Sequence, residues 1–84
     1  MYYVYFLHSE KNGDLYVGST DNVERRISQH AQGRVKSTQA YRPWKLLGYE
    51  EYLTRGETMK RERFLKSHQQ KDILKNKYGT VAKG

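Results

Sequence analysis

Residues 2–8, Tyr-Tyr-Val-Tyr-Phe-Leu-His, form a run rich in β-branched and aromatic side chains, and Asn12-Gly13 follows within a few positions. Such a run closed by Asn-Gly is the strongest short-range hairpin signal a sequence carries, because Asn and Gly tolerate the positive φ angles that a tight turn between twisted strands requires. Residues 15–18 are therefore expected to return antiparallel to the first strand. A two-residue turn at Asn12-Gly13 would set Ser9 opposite Tyr16, and a wider one would bring Tyr5 and Tyr16 directly opposite each other. Either way, strand alternation places Tyr3, Tyr5 and Leu7 on the same face as Tyr16.

A helix is expected next, with Thr20 or Asp21 as N-cap. Asp21-Asn22-Val23-Glu24 resembles a capping box with Asp in the cap position. The helix should run to about Gln32 and stop at Gly33. Val23, Ile27 and Ala31 recur every four residues and mark its buried stripe, with Arg26 and His30 running parallel at the edge of the core. Residues 34–41 read as a polar, basic loop, the least rigid segment of the chain. Residues 45–52 form a third strand candidate with Leu47, Tyr49 and Glu51 on one side. A second helix should begin near Thr54 and extend to about Ser67, anchored by Met59 and Leu65. Glu62 lies three residues from each anchor, so a carboxylate falls within the stripe that faces the protein. Residues 69–78 read as a short terminal helix, and 79–84 as a frayed tail.

A chain of 84 residues supports one small domain, since a second workable core needs roughly 50 more. There is no cysteine, which excludes disulfide staples, thiolate zinc sites and cysteine nucleophiles together. The apolar run at the N-terminus is too short for a signal-peptide core or a membrane span, so a cytoplasmic protein is expected. The formal net charge is +7, and an acidic partner is the first expectation. Residues 43–84 hold ten of the basic side chains against five acidic ones, so the C-terminal half carries most of the excess.

Eight tyrosines against two phenylalanines raise the question of which rings need a hydroxyl. Tyr3-Val4-Tyr5, Tyr16-Val17-Gly18, Arg26, His30 and a late Glu62 occur in that order. Singly, each has a plain explanation: strand tyrosines pack, an arginine beside Arg25 sits on a solvated helix edge, and Glu62 has basic neighbours with which to pair. As an ordered series the chain resembles the GIY-YIG nuclease superfamily over about residues 2–75. It is similar to the small members that consist of the nuclease domain alone, to the N-terminal nuclease domain of the excision-repair excinuclease C subunit, and to the catalytic domain of some homing endonucleases.

The resemblance implies an α/β sandwich whose three-stranded, mainly antiparallel sheet is flanked by helices. It implies Tyr5 and Tyr16 as the two motif tyrosines, Arg26 as the family arginine and His30 as the position four residues on. It also implies Glu62 as the single metal-binding carboxylate, holding Mg²⁺ or Mn²⁺. Tyr3 stands where the family name has glycine, and Asn76 is a loose candidate for a C-terminal asparagine. The implied activity is metal-dependent hydrolysis of DNA, with repair or processing as its setting. The alternatives are a non-catalytic nucleic-acid-binding module and a small RNA-binding accessory protein.

The chemistry of these side chains agrees with that activity. Phosphodiester hydrolysis needs an activated water and neutralisation of growing charge on the phosphate. Mg²⁺ keeps most of its waters and accepts few protein ligands, so one carboxylate suffices. Arginine offers a permanently charged fork to phosphate oxygens. A free tyrosine titrates near ~10, so one acting as base, for which Tyr16 is the first choice, needs positive charge beside it. His30, of a residue type that titrates near neutrality, would take the proton on or position the tyrosine.

Overall fold

The computed structural model describes residues 1–67; the expected terminal helix, the tail and Asn76 lie outside them. Strands β1 (Tyr2–Ser9), β2 (Leu15–Thr20) and β3 (Trp44–Tyr52) form an antiparallel sheet in the order β2-β1-β3. Helix α1 (Val23–Ala31) follows β2, a single 3-10 turn covers Gln39–Tyr41, and helix α2 (Arg55–Ser67) follows β3. This is the α/β arrangement expected.

Because β1 is central, both of its faces are covered, and Val4, Tyr5, Phe6 and Leu7 are all buried. On one face Val4, Phe6 and Val17 pack with Leu65 of α2, and Leu15, Leu47 and Tyr52 close the cluster. The other face carries Tyr5 and Tyr16 beneath His30 of α1.

The hairpin register lies between the two that a sequence allows. Leu7 faces Tyr16 and Tyr5 faces Gly18, because the turn is wider than two residues: Ser9 N–H donates to Asp14 O and Gly13 N–H to Ser9 O, with Gly13 at φ +80°. The shared face of Tyr5 and Tyr16 survives, since the slip is even. In β3 a bulge opposite Phe6 and Leu7 interrupts the alternation. Leu47 therefore joins the Phe6 cluster while Tyr49, paired with Tyr5, sits 48% exposed on the opposite face. Leu47, Tyr49 and Glu51 do not share one side as alternation alone implies.

Helix α1 is capped by Asn22, whose Oδ1 accepts from Arg25 N–H at 3.0 Å, rather than by Thr20 or Asp21. Thr20 Oγ1 instead accepts from Asn22 N–H, and Asp21 pairs with Arg25. The helix ends as expected at Gly33, with φ +77°. Ala31 is exposed and His30 is buried, so the apolar stripe is turned toward the tyrosines at its C-terminal end. Helix α2 opens with a reciprocal capping box in which Glu57 N–H donates to Thr54 Oγ1 and Thr54 N–H to Glu57 Oε1. Its buried seam is Thr58 and Leu65, seven residues apart, and Met59 is 51% exposed. Glu62 stays on that seam, three residues from Leu65 and four from Thr58. Arg61 clamps α2 to β3 through two bonds to the Glu50 carboxylate, which also accepts from the Tyr52 hydroxyl at 2.7 Å.

The segment read as the least rigid loop is pinned. Val35 and Thr38 are buried, and Trp44 Nε1–H donates to Thr38 O at 2.8 Å. Ser9 Oγ donates to Tyr41 O and accepts from Lys11 and Asn12 N–H, tying this segment to the hairpin loop.

Candidate active site

The site begins at Gly18. Because Tyr5 pairs with Gly18 across the hairpin, the hydroxyl end of its ring lies over that glycine. A Cβ at Gly18 would stand 2.5 Å from the Tyr5 hydroxyl oxygen and 3.0 Å from Tyr16 Cε2. The glycine of Tyr16-Val17-Gly18 is thus a space requirement set by the tyrosine of the first motif.

With its ring so placed, Tyr5 is bonded at both ends of its hydroxyl. His30 Nε2 lies 2.8 Å away, and Arg26 Nε–H donates to the same oxygen at 3.4 Å. His30 Nδ1 lies 2.8 Å from Thr38 Oγ1, which donates its own hydrogen to Val35 O. That donation leaves Thr38 Oγ1 as the acceptor for Nδ1–H, which fixes the tautomer and makes Nε2 the acceptor of the Tyr5 proton. A directed chain results: Arg26 to Tyr5, Tyr5 to His30, His30 to Thr38, Thr38 to the backbone.

Two shifts describe the electrostatics of this chain. Burial, reinforced by the Arg26 charge, lowers the His30 pKa to about 4, so the imidazole is neutral at pH 7 rather than poised near neutrality. Burial raises Tyr5 to about 12, with the Arg26 hydrogen bond acting against it and electrostatic repulsion from the directions of Tyr16 and Glu62 adding to it. The pair is therefore phenol and neutral imidazole in the free protein. Among the described residues no carboxylate lies within 4 Å of the Arg26 guanidinium; its second partner is the neutral Gln29 Oε1 at 2.9 Å. A half-buried arginine paired only to neutral oxygens keeps its charge for an anionic ligand.

Tyr16 is placed differently from Tyr5. Its ring packs edge-on against His30 at 5.2 Å and near Trp44 at 6.2 Å. Its hydroxyl has no hydrogen-bond partner among the described residues, so the histidine serves the first motif tyrosine and not the second.

Glu62 and Arg26 line one open cleft of about 520 Å³, together with Tyr2, Thr20, Arg25 and Arg55. Glu62 Oε2 accepts from Lys66 Nζ at 2.8 Å, while Oε1 has no partner among the described residues. The carboxylate thus already holds one cation, presents a free hard oxygen and opens on a space large enough for a hydrated ion. That donor chemistry suits Mg²⁺ or Mn²⁺ bound mainly through water. Among the described residues no three His, Cys, Asp or Glu side chains gather to form a fuller metal cage.

The structure brings Tyr5, Tyr16, Arg26 and His30 into one cluster and sets Glu62 across the cleft from Arg26. Thr38 and Lys66 were not legible as members. Thr38 sits in a segment without periodicity, although the Glu62-Lys66 spacing of four was a usable signal.

A small antiparallel α/β domain with a tyrosine-histidine-arginine cluster beside a cleft lined by the Glu62 carboxylate and by Asp21, which is paired to Arg25, is the class these features define. Residues 1–78 match the model of the GIY-YIG catalytic domain, and the chain belongs to that family. It is similar to a UPF0213 protein of Staphylococcus haemolyticus, 37% identical over 88% of this chain and 90% of that one. A UPF0213 protein of Bacillus licheniformis is 38% identical over 84% of this chain and 73% of its own length. The solution NMR structure of a UPF0213 protein from Bacillus halodurans superposes with a TM-score of 0.60 at 31% identity, covering 94% of this chain and 88% of that one. No helix among the described residues is long and apolar enough to cross a membrane.

Proposed function

We propose that this chain is a divalent-metal-dependent endonuclease that hydrolyses phosphodiester bonds in DNA, in a setting of DNA repair or processing. The observation that carries the reading is the directed chain from Arg26 through Tyr5 to a neutral His30. A packing tyrosine has no need of a buried, uncharged histidine behind its hydroxyl and, in front of it, an arginine with no carboxylate partner among the described residues.

In this reading the Arg26 guanidinium seats a phosphate oxygen and meets the charge that grows on it during attack. Burial is the larger cause that depresses His30; the anionic partner of Arg26 offsets the smaller one, the Arg26 charge, and to that extent makes Nε2 a better proton acceptor once substrate is bound. The Tyr5 oxygen takes the proton of the attacking water as its own proton passes to His30 Nε2. The phenolate therefore need not accumulate, and Thr38 holds the imidazole in the tautomer this transfer requires. Tyr16, whose ring packs edge-on against the same histidine and whose hydroxyl has no hydrogen-bond partner among the described residues, contacts the water or the phosphate. Glu62 would hold Mg²⁺ or Mn²⁺, which supplies Lewis-acid stabilisation of the phosphoryl and leaving oxygens. The net charge of +7 gives sequence-tolerant binding that weakens steeply with salt.

The test is a screen of end-labelled linear, nicked, flapped and branched DNA, with RNA alongside, in Mg²⁺, Mn²⁺ or chelator. Cleavage of at least one DNA substrate that chelator abolishes is the expected result. Salt-sensitive binding without cleavage of any substrate would replace this reading with a non-catalytic binding module.

A further inference from the structure

Glu62 does not face the cleft alone. One turn further along α2, Lys66 sets its ammonium 2.8 Å from Glu62 Oε2 and 5.7 Å from the centre of the Tyr16 ring. A Glu-Lys pair at this spacing is an ordinary feature of helix surfaces. Its position here is not ordinary, because Glu62 lies on the buried seam of α2 and Tyr16 lies on the sheet face that carries the Tyr5-His30 pair. The ammonium thus bridges the carboxylate and the second motif tyrosine, around the β2 edge of the sheet.

We infer that Lys66 is an exchangeable counter-ion for Glu62, held in place of the divalent cation and released toward the nucleic acid when the cation binds. This rests on the nuclease reading in one respect, that Glu62 is the metal ligand. Three features favour exchange over a permanent pair. Lysine makes a single-point contact through a flexible stem, so it leaves a carboxylate more readily than the planar fork of arginine. Half of the Lys66 side chain is exposed, and its partners among the described residues are Glu62 and the Tyr16 ring. Met59, Glu62, Arg63 and Lys66 line a second groove that continues the cleft along α2, so a released ammonium lies where a strand leaving the site would pass. Metal binding and nucleic-acid binding are then linked, and linkage is reciprocal.

Calorimetric titration of the DNA-free chain with Mn²⁺ at fixed ionic strength tests this, with near-ultraviolet circular dichroism as the check on folding. Lys66→Met should bind Mn²⁺ roughly 2- to 5-fold more tightly than wild type, the range expected for removing one surface pair. Lys66→Arg keeps the charge but grips the carboxylate with two donors, so it should bind more weakly than wild type. Glu62→Gln should abolish the Mn²⁺ binding. Mn²⁺ should also strengthen binding of a phosphorothioate duplex more in wild type than in Lys66→Met. Equal Glu62-dependent affinities across the lysine series would overturn the inference and leave the nuclease reading standing, as would tightening in Lys66→Met with Lys66→Arg unchanged. Mn²⁺ binding that Glu62→Gln does not reduce would remove the metal assignment, and the inference with it.

Discussion

Burying a neutral histidine against Tyr5 and Thr38 makes the fold sensitive to acid in a calculable way. His30 is 1% exposed and has its pKa lowered to about 4, against ~6.5 for an unfolded chain. Between those values the unfolded state binds more protons than the folded one, so stability rises with pH. The contribution is complete above pH 6.5 and is lost as pH falls from 6.5 toward 4. At 1.36 kcal/mol per unit, the full loss is about 3 kcal/mol, of which about 2 kcal/mol is spent by pH 5. For a domain of this size that is a sizeable share of the total. Urea unfolding of wild type and His30→Gln at pH 8 and pH 5 isolates it, because every other group is common to the two proteins and cancels in the difference. Wild type should lose about 2 kcal/mol more than the variant over that interval. Should His30→Gln fail to fold, NMR titration of the His30 ring in wild type reads the same quantity. Equal losses in the two proteins, or an imidazole that protonates near 6.5 in the folded state, would refute the buried neutral histidine.

Two further substitutions test how the site is positioned. Gly18→Ala should destabilise the fold by about 1–3 kcal/mol in chemical denaturation and lower any cleavage rate. The added methyl meets the hydroxyl-bearing carbon of Tyr5 at 2.6 Å, and a ring whose hydroxyl is bonded to His30 and Arg26 has to shift. Glu50→Gln should cost about 1–3 kcal/mol by loosening the Arg61 and Tyr52 contacts, with hydrogen exchange accelerating in α2 ahead of β1 and β2.

What the sequence made legible is what local chemistry settles. The Asn12-Gly13 turn and the alternation of Tyr3, Tyr5 and Leu7 give the shared face with Tyr16 for any even shift of register, because side-chain direction depends on parity. Glycine and capping patterns place both ends of α1 and the start of α2 to within a residue or two. Features that depend on nonlocal geometry were hidden. The width of the turn decides that Tyr5 faces Gly18, and only then does the glycine of the second motif acquire its reason. The β3 bulge separates Leu47 from Tyr49, and no spacing in residues 45–52 announces it. Thr58 is buried and Met59 exposed because the seam of α2 is set by its angle to the sheet, which a helical pattern with two apolar anchors does not determine. His30 has two tyrosines within reach in sequence terms, and the choice of Tyr5 follows from where α1 lands. Its pKa follows from the same placement, since burial rather than residue type brings it to about 4.

The central claim is that Tyr5 handles the proton at the chemical step. Single-turnover cleavage of a competent labelled duplex in Mg²⁺, with protein in excess, tests it by comparing wild type, Tyr5→Phe and Tyr3→Phe. Tyr3 lies on the same sheet face, two residues away, and its ring packs edge-on against Tyr49 rather than against His30. The account predicts that Tyr5→Phe lowers the rate of the bound complex by roughly 10²- to 10³-fold, with DNA affinity nearly unchanged and Tyr3→Phe close to wild type. Equal rates for Tyr5→Phe and Tyr3→Phe would contradict it.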